Sequence, residues 1–222
     1  FKDEYANMPV DVQKDEEKGL YYVQKEKKRL YFRKSTPAKK IQKYYRALSM
    51  EQDRRSPHHY FNSVKEVTGK VFVDVGCAEG YSSLEIIEEA KHVYLFEQDE
   101  QWLEAIRATF EPWQDKVTIV QKYVSDHNSS REQTLDDFFN NQTDEHLFLK
   151  MDIEGAERHA LAGCKNLFQN CQKLDFAICT YHLRDDEEVI SAFLNKHNCT
   201  YINQKGFFRH RIRSVVMRGS KK

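Results

Sequence analysis

The sequence predicts an α/β sandwich: a mostly parallel central sheet with an antiparallel C-terminal strand, preceded by a small hairpin-and-helix elaboration. Three observations carry this. From Lys70 onward, short apolar runs alternate with amphipathic helical stretches, and helical crossovers join parallel neighbours. The chain then closes on two apolar runs with no helix between them, Thr200–Ile202 and Arg213–Met217, which read as an antiparallel pair turning at Gly206. The first 65 residues differ in texture, being basic and rich in tyrosine. The expected division is therefore 1–65 for the elaboration and 66–222 for the main domain, within the 222 residues of one large domain.

Taken in order, Leu20–Val23 and Leu30–Phe32 flank the polar Lys25-Glu26-Lys27-Lys28 segment, as a short hairpin with a charged tip would. Pro37 opens a helix on which Ile41, Tyr44, Tyr45 and Leu48 recur at helical spacing. Val71–Val75 is the first buried strand, followed by a helix over Ser82–Lys91. His92–Phe96 is the second strand and Gln101–Phe110 the next helix; Val117–Val120 opens a third strand, and Leu135–Phe139 is a short helix. Leu147–Met151 is the fourth strand, Ala156–Leu167 a helix, Phe176–Cys179 the fifth strand and Glu187–Lys196 the last helix.

Composition excludes several classes. Equal numbers of basic and acidic residues, 35 of each, give a net charge of +0, against the strong basic excess of a dedicated nucleic-acid coat. No apolar run reaches the roughly 18 residues of a membrane-spanning helix, and Phe1-Lys2-Asp3-Glu4 does not resemble a signal peptide. Five cysteines, an odd number with no C-x-x-C pair, read as reduced thiols of a cytoplasmic protein. Ten Lys and Arg residues crowd 25–46 against one acid, Glu26. That stretch is either a solvated hairpin and helix covering a sheet edge or a surface for an anionic or sugar-like substrate.

The chemistry-bearing stretch is Val73-Asp74-Val75-Gly76-Cys77-Ala78-Glu79-Gly80-Tyr81-Ser82-Ser83. A buried strand ends in acid-x-Gly, a second glycine follows four residues on, and a helix opens at the serines, either of which can cap it. In open α/β sheets ligands bind beyond the carboxyl ends of the strands, at the switch point. Gly76 permits the tight turn, Gly80 lets the helix approach, and Asp74 can accept hydrogen bonds from a cationic or hydroxylated ligand. Ala78 stands where a dinucleotide fingerprint needs its second glycine, so a pyrophosphate is disfavoured, and the NTP-binding loop motif is absent. Glu97 ends the second strand about 20 residues past Gly76, the spacing of an acid that binds ribose hydroxyls; by itself it would be a solvated loop residue. A ribose without pyrophosphate and with a charged tail fits S-adenosylmethionine. In Leu149-Lys150-Met151-Asp152-Ile153-Glu154-Gly155-Ala156-Glu157 the fourth strand ends in alternating acids. Asp152 and Glu154 share one side if the strand persists, whereas Glu154 and Glu157 also suit a helix's first turn.

Together, Val73–Gly80, Phe96-Glu97, Thr134–Phe138 and Leu149–Glu157 resemble the FkbM-type family of S-adenosylmethionine-dependent methyltransferases, over roughly residues 65–218. Lys150-x-Asp152-x-Glu154-Gly155-x-Glu157 is its most distinctive element. The resemblance implies a Rossmann-like class I methyltransferase fold and O-methylation of a sugar, glycan or natural product. It implies that Asp74, Gly76, Cys77, Ala78, Gly80, Ser82 and Glu97 line the cofactor site. Gln98, where the family often has proline, and Ser125-Asp126 would approach the adenine, and Asp152 would face the cofactor's methionine end or the acceptor. Cys77-Ala78-Glu79-Gly80 departs from the more usual Ala-Asn-x-Gly.

A hydroxyl acceptor needs a base or a metal. Asp152, Glu154 and His182, which follows the fifth strand, are the candidates, with His58-His59 as an alternative. A divalent ion between Asp152 and a histidine is conceivable but is not predicted from sequence. The expected partner is a small-molecule or glycan acceptor. The alternatives are an RNA- or protein-directed methyltransferase, which the missing proline after Asp152 disfavours, and a non-catalytic cofactor-binding scaffold.

Overall fold

The computed structural model describes residues 1–140, 144–208 and 211–221. Helix α1 (Lys2–Ala6) precedes a three-stranded antiparallel sheet of β1 (Val12–Asp15), β2 (Leu20–Lys25) and β3 (Lys28–Tyr31). β2 and β3 form the expected charged-tip hairpin; β1, whose only apolar residue is Val12, gave no alternating signal. Pro37 caps α2 (Ala38–Glu51) at its N-terminus. This small sheet forms no ladder with the main sheet. It packs on the following helices, where the Tyr31 N–H donates to Thr109 Oγ1 at 3.0 Å.

The main sheet uses β4 (Val71–Val75), α3 (Tyr81–Ile86), β5 (His92–Phe96), α4 (Glu100–Phe110) and β6 (Val117–Val120) for its first half. A short side ribbon of β7 (Tyr123–Val124) and β8 (Glu132–Gln133) leads to α5 (Leu135–Phe139). The second half comprises β9 (Leu147–Met151), α6 (Glu157–Ala162), α7 (Lys165–Asn170), β10 (Leu174–Cys179), α8 (Asp186–Lys196), β11 (Cys199–Phe208) and β12 (Arg211–Lys221). The strand order is β11-β12-β10-β9-β4-β5-β6. The five strands from β6 to β10 run parallel, and β12 lies antiparallel to both β10 and β11. The order reverses between β4 and β9, so a crevice opens there at the carboxyl ends.

Both faces of the sheet are covered, so β4 reads as an unbroken buried run. Phe72 belongs to a cluster that joins α3 and α4 to Leu20, Leu30, Phe32 and Ile41 of the N-terminal segment. Val71, Val73 and Val75 face the opposite cluster, with Leu161, Phe168, Ile190 and Leu194. The first 65 residues thus share one apolar layer with the main sheet.

Four sequence expectations need correction. The first crossover helix spans only Tyr81–Ile86; Gly80, at φ +81°, caps it, so Ser82 and Ser83 lie inside the helix and cap nothing. The single helix expected over Ala156–Leu167 is two, α6 and α7, parted at Gly163-Cys164. A side chain at Gly163 would meet the Ser125 carbonyl oxygen at 2.0 Å, so the chain comes too close to that loop to carry one. Gly206 is not in a turn: it lies within β11, just past a register shift at Gln204/Lys205, with Pro57 packed on it. The turn itself falls outside the described residues.

The segment leading into β4 is fastened to the far side of the sheet by Arg218 on β12, which is 8% exposed. Its guanidinium donates to Glu66 Oε2 at 2.7 Å, Asn62 Oδ1 at 3.2 Å, Gln204 Oε1 at 3.1 Å and His59 Nε2 at 2.9 Å. Hydrogen bonds to charged groups are worth about 1.5–3 kcal/mol, so Arg218→Met is expected to lower stability by about that much in a urea melt. It should also speed proteolysis within residues 52–66.

Candidate functional site

A cavity of about 930 Å³ opens at the carboxyl ends of β4, β5 and β9. Its floor is the turn after β4, where Gly76, Ala78 and Gly80 all have positive φ, at +77°, +47° and +81°. A Cβ on Gly76 would lie 2.1 Å from the Asp152 carbonyl oxygen; that oxygen follows β9, whose end is stitched to β4 by Asp152 N–H to Val75 O at 3.1 Å. The turn is therefore a point where two strand ends nearly touch, and only glycine fits.

Beneath it lies a buried ion pair. Lys150 Nζ sits 2.8 Å from Asp74 Oδ1, with side chains 5% and 1% exposed, and donates to the Gly76 carbonyl at 2.6 Å. Asp74 Oδ2 accepts from Ser83 Oγ at 2.6 Å. Burial opposes the ammonium, but Asp74 and then Asp152 outweigh it, so Lys150 titrates above the ordinary lysine range. Asp74 lines the cavity, yet its carboxylate is engaged by Lys150 and Ser83.

Of the sequence candidates, Asp74, Gly76, Cys77, Ala78, Ser82, Glu97, Gln98, Ser125, Asp126, Asp152 and Glu154 all line this one cavity. Gly80 does not; its Cα packs on Phe110, where a Cβ would meet the ring at 2.7 Å. Glu97 is fixed at both oxygens, accepting from Ala78 N–H at 3.0 Å and Asp99 N–H at 2.8 Å. Each carboxylate oxygen keeps a further lone pair. Cys77 is buried, which pushes its thiol well up, with Asp74 and Glu97 adding to the effect; it is a packing residue. Asp126 is exposed, bonded to His127 at 2.8 Å and near His159 at 3.4 Å; first the His127 and then the His159 contact holds its carboxyl down.

Asp152 accepts from Tyr60 OH at 2.6 Å. Burial raises its pKa, but Lys150, His58 and the Tyr60 bond reverse the sign, leaving it below the usual carboxylate value. His182 does not line the cavity. It stands behind Asp152, with Nε2 at 3.4 Å from Asp152 Oδ1 and 3.6 Å from Glu154 Oε2, and Nδ1 at 2.9 Å from the fully buried Glu157. Burial disfavours the imidazolium, but Glu157 and then Asp152 raise the pKa above the ordinary histidine value. Glu154 leaves the strand at φ +57° and is 92% exposed, so the strand-like alternation with Asp152 ends at Met151.

One wall was read from sequence only in part, through His58 as an alternative base and the basic stretch as a substrate surface. Arg33, Tyr44, Leu48, Glu51, Gln52, His58 and Tyr60, all from the N-terminal segment, line the cavity. Tyr44 donates to buried Glu79 at 2.8 Å and stacks on Trp102, over which Arg33 lies at 4.0 Å. His58 Nε2 is 3.0 Å from Tyr181 OH, and burial lowers its pKa, so it is neutral near pH 7. His59 points elsewhere, into the Arg218 cluster. The sequence signals for this wall were the tyrosine-rich, helical spacing of 37–48, the basic stretch and His58; Glu51, Gln52 and Tyr60 carried none.

Two outcomes test this electrostatic arrangement. Lys150→Met leaves Asp74 buried and unpaired, at a cost of about 3–5 kcal/mol; Asp74→Asn/Lys150→Met should lose less, both read by urea denaturation. Glu51 is pushed up to about 7 by burial and then by Asp152, Glu79 and Glu154, although 42% of its side chain is exposed and solvent screens part of the effect. The folded state then binds more protons than the unfolded state between the ordinary carboxylate value of 4.5 and about 7, so stability falls as pH rises through that window. Glu51→Gln removes this slope: its Tm advantage over the wild type should be larger at pH 8 than at pH 5.

A family model described as "Methyltransferase FkbM domain" matches residues 75–202. No curated protein matches in sequence. Among solved structures, an FkbM methyltransferase from Methylobacillus flagellatus superposes with TM-score 0.55 at 20% identity, over 68% of this chain and 43% of that one. Magnesium protoporphyrin IX methyltransferase from Synechocystis, with bound SAM, gives 0.52 at 12% identity over 85% and 86%. The M. jannaschii tRNA m1G37 methyltransferase gives 0.53 at 12% identity over 91% and 56%. At these identities the structures establish the fold, a class I methyltransferase sheet, while the chain spans less than half the length of the M. flagellatus protein. With the family model covering more than half of its residues, the chain belongs to the FkbM methyltransferase domain family.

Proposed function

We propose that the protein is an S-adenosylmethionine-dependent methyltransferase acting on a hydroxyl of a sugar, glycan or small natural product. The observation that carries the reading is Glu97, held by the Ala78 N–H directly beside the Gly76 turn. This puts an acid with spare lone pairs where ribose hydroxyls would lie, in the same cavity as Asp152. The cavity fits: about 930 Å³ is at the upper end of small-molecule sites, roughly 300–1,000 Å³, leaving room for an acceptor beside the cofactor. The Synechocystis relative, named with bound SAM, supports the same cofactor.

When bound, the cofactor supplies a methyl already activated on a sulfonium, so alignment dominates and is worth several kcal/mol. The protein's part is to hold both partners. Glu97 would accept the ribose hydroxyls, and the Gly76–Gly80 turn gives close access to backbone. The cluster of Glu51, Glu79, Asp152 and Glu154 makes the cavity electronegative, which suits a cation. As the new C–O bond forms and the S–C bond breaks, the acceptor's proton has to leave. Asp152 and Glu154 are the carboxylates of the fourth-strand motif that reach the cavity, and neutral His58 stands opposite them on the N-terminal wall. His182 stands behind both carboxylates and does not reach the cavity.

The acceptor wall combines Tyr44, Trp102 and Tyr60 with polar Gln52 and Arg33, a mixture that suits a hydroxylated ring. The nucleic-acid reading is disfavoured because much of the basic segment is spent internally: Lys25 pairs with Glu85, Arg29 with Asp15 and Arg33 with Asp99. Lys28 donates to the Leu84 carbonyl and Arg46 to the Met8 carbonyl. The five cysteines are free, four of them buried, and no helix among the described residues is long and apolar enough to cross a membrane; both agree with a cytoplasmic enzyme.

Calorimetry with S-adenosylhomocysteine tests the cofactor. Binding is expected, and Glu97→Ala should weaken it by about 10–100-fold, the worth of hydrogen bonds to a charged group. No binding by a folded wild type would refute the reading. A mass-spectrometric screen of glycans and hydroxylated metabolites then tests the acceptor: methyl transfer to nitrogen or RNA replaces the O-directed reading, and binding without any product favours the scaffold.

A further inference from the structure

A cluster of three carboxylates around His182 lies beside the cavity. The His182 side chain is 7% exposed, and its Nε2 is buried with no hydrogen-bond partner. That nitrogen faces Asp152 Oδ1 at 3.4 Å and Glu154 Oε2 at 3.6 Å. Both separations exceed the usual 2.7–3.2 Å of a hydrogen bond. They match the roughly 3.3–3.6 Å between neighbouring ligand atoms of a tetrahedral cation with bonds of about 2.0–2.2 Å.

The other ring nitrogen also lacks a well-aligned hydrogen bond, but it faces a carboxylate at close range, the surroundings a metal-ligating histidine uses. Nδ1 lies 2.9 Å from Glu157 Oε1, and this carboxylate is fully buried and fixed by Ile153 N–H at 2.9 Å. A carboxylate behind the distal nitrogen sets the tautomer and aims the other nitrogen at the ion. The second oxygen of Glu157 is buried without a partner, so negative charge is in excess here. Asp152, Glu157 and His182 each place a ligand-capable atom within 4.8 Å of the others. The turn after β9 adds the last group: Glu154 at φ +57° and Gly155 at φ +102° curl the chain so that Glu154 comes back toward the imidazole. Asp152 and Glu154 border the cavity, whereas His182 does not, so the ion would sit between ring and cavity with a face open to a ligand.

We propose that His182 Nε2, Asp152 and Glu154 bind a divalent transition-metal cation, with Glu157 orienting the imidazole, and that the open position takes the acceptor's hydroxyl. Three protein ligands with a free fourth position is the pattern of a catalytic rather than a structural site, and coordination lowers the pKa of a bound hydroxyl. This use of the ion rests on the methyl-transfer reading; its binding does not. The competing occupant of Nε2 is a proton, giving an imidazolium among three carboxylates.

Chelator-treated protein titrated with Co²⁺ alone separates the two, read by calorimetry and by the visible absorption of the metal. One equivalent bound, with the intense absorption of a four- or five-coordinate site, is expected. His182→Ala and Glu154→Gln should abolish that absorption, and Glu157→Gln should weaken affinity about 10–100-fold. Circular dichroism melts of each variant confirm folding, and Zn²⁺ competing for the cobalt provides a second readout. The proposal is overturned if folded wild type binds no Co²⁺, if His182→Ala binds it equally, or if ring-nitrogen NMR shows His182 doubly protonated at neutral pH with saturating Zn²⁺ present. Cofactor affinity is measured separately: cobalt binding without S-adenosylhomocysteine binding sinks the enzyme reading and leaves the metal site standing, and the reverse result does the opposite.

Discussion

The site depends on one buried contact, the ammonium of Lys150 between the Asp74 carboxylate and the Gly76 carbonyl. Asp74 is on β4 and Lys150 on β9, the two strands that flank the reversal of sheet order. Their pairing does more than neutralise charge. It draws the chain after β4 over the end of β9 until the Gly76 Cα has no room for a side chain. A buried pair contributes little net stability against an apolar substitute, but leaving either half alone is expensive. It therefore serves less as glue than as a lock on geometry. The Gly76 carbonyl is held down, the Ala78 N–H is presented to Glu97, and Asp152 starts immediately above. The distinctive lysine of the Lys150-x-Asp152-x-Glu154 element thus acts from beneath the cavity, and the acids after it act from above.

The N-terminal segment supplies what the sheet cannot. A parallel sheet offers a crevice with a floor and two rims but no roof. Here α2 and the stretch to Tyr60 close it, and two contacts tie them to the floor: Tyr60 to Asp152, and Tyr44 to Glu79. Because the apolar layer beneath this segment is continuous with α3 and α4, the roof is fixed by core packing as well as by polar contacts. Its residues lie before the stretch matched by the family model. The strand-end floor of the cavity thus lies almost wholly within the matched region, and its roof is built from chain outside that region.

What was legible in the sequence follows from this division. Gly76, Ala78, Glu97 and Asp152 could be found because each ends a strand, and strand ends in a parallel sheet converge on one edge whatever the distant packing. Asp74 lines the cavity as expected, but its partners Lys150 and Ser83 become visible only in three dimensions. The apolar runs identified β4 and β9, but the alternating acids after β9 could not show that Glu154 leaves the strand in a left-handed turn. The break at Gly163 comes from a loop some forty residues earlier pressing on it, and no local propensity records that. The roof was the largest loss: Tyr60 meets Asp152 across 92 residues of chain, and composition showed only a basic, aromatic stretch. Its lysines and arginines suggested an outward surface, whereas several of them turn inward to acids and carbonyls of the protein.

Carboxylate crowding unites these features. Glu51, Glu79, Glu97, Asp152 and Glu154 share the cavity wall, with Glu157 just behind, and the lysines and arginines that line it are fewer: Lys150, Arg33 and Lys122. Like charges this close raise one another's proton affinity: burial first, and then the fields of Asp152, Glu79 and Glu154, raise Glu51, while burial alone raises Glu79 against the Tyr44 bond that lowers it. Such an arrangement is unfavourable in the resting protein and becomes favourable only when positive charge enters. A sulfonium at the cofactor end and a divalent cation at His182 would relieve it at opposite ends of the same crevice. That shared negative field makes the cofactor and acceptor halves interdependent even where they share no atom: each cation neutralises carboxylates whose field also reaches the other. Because two cations also repel, the net coupling depends on how much of that field each site draws on, and Asp152, which both border, is where the balance is set.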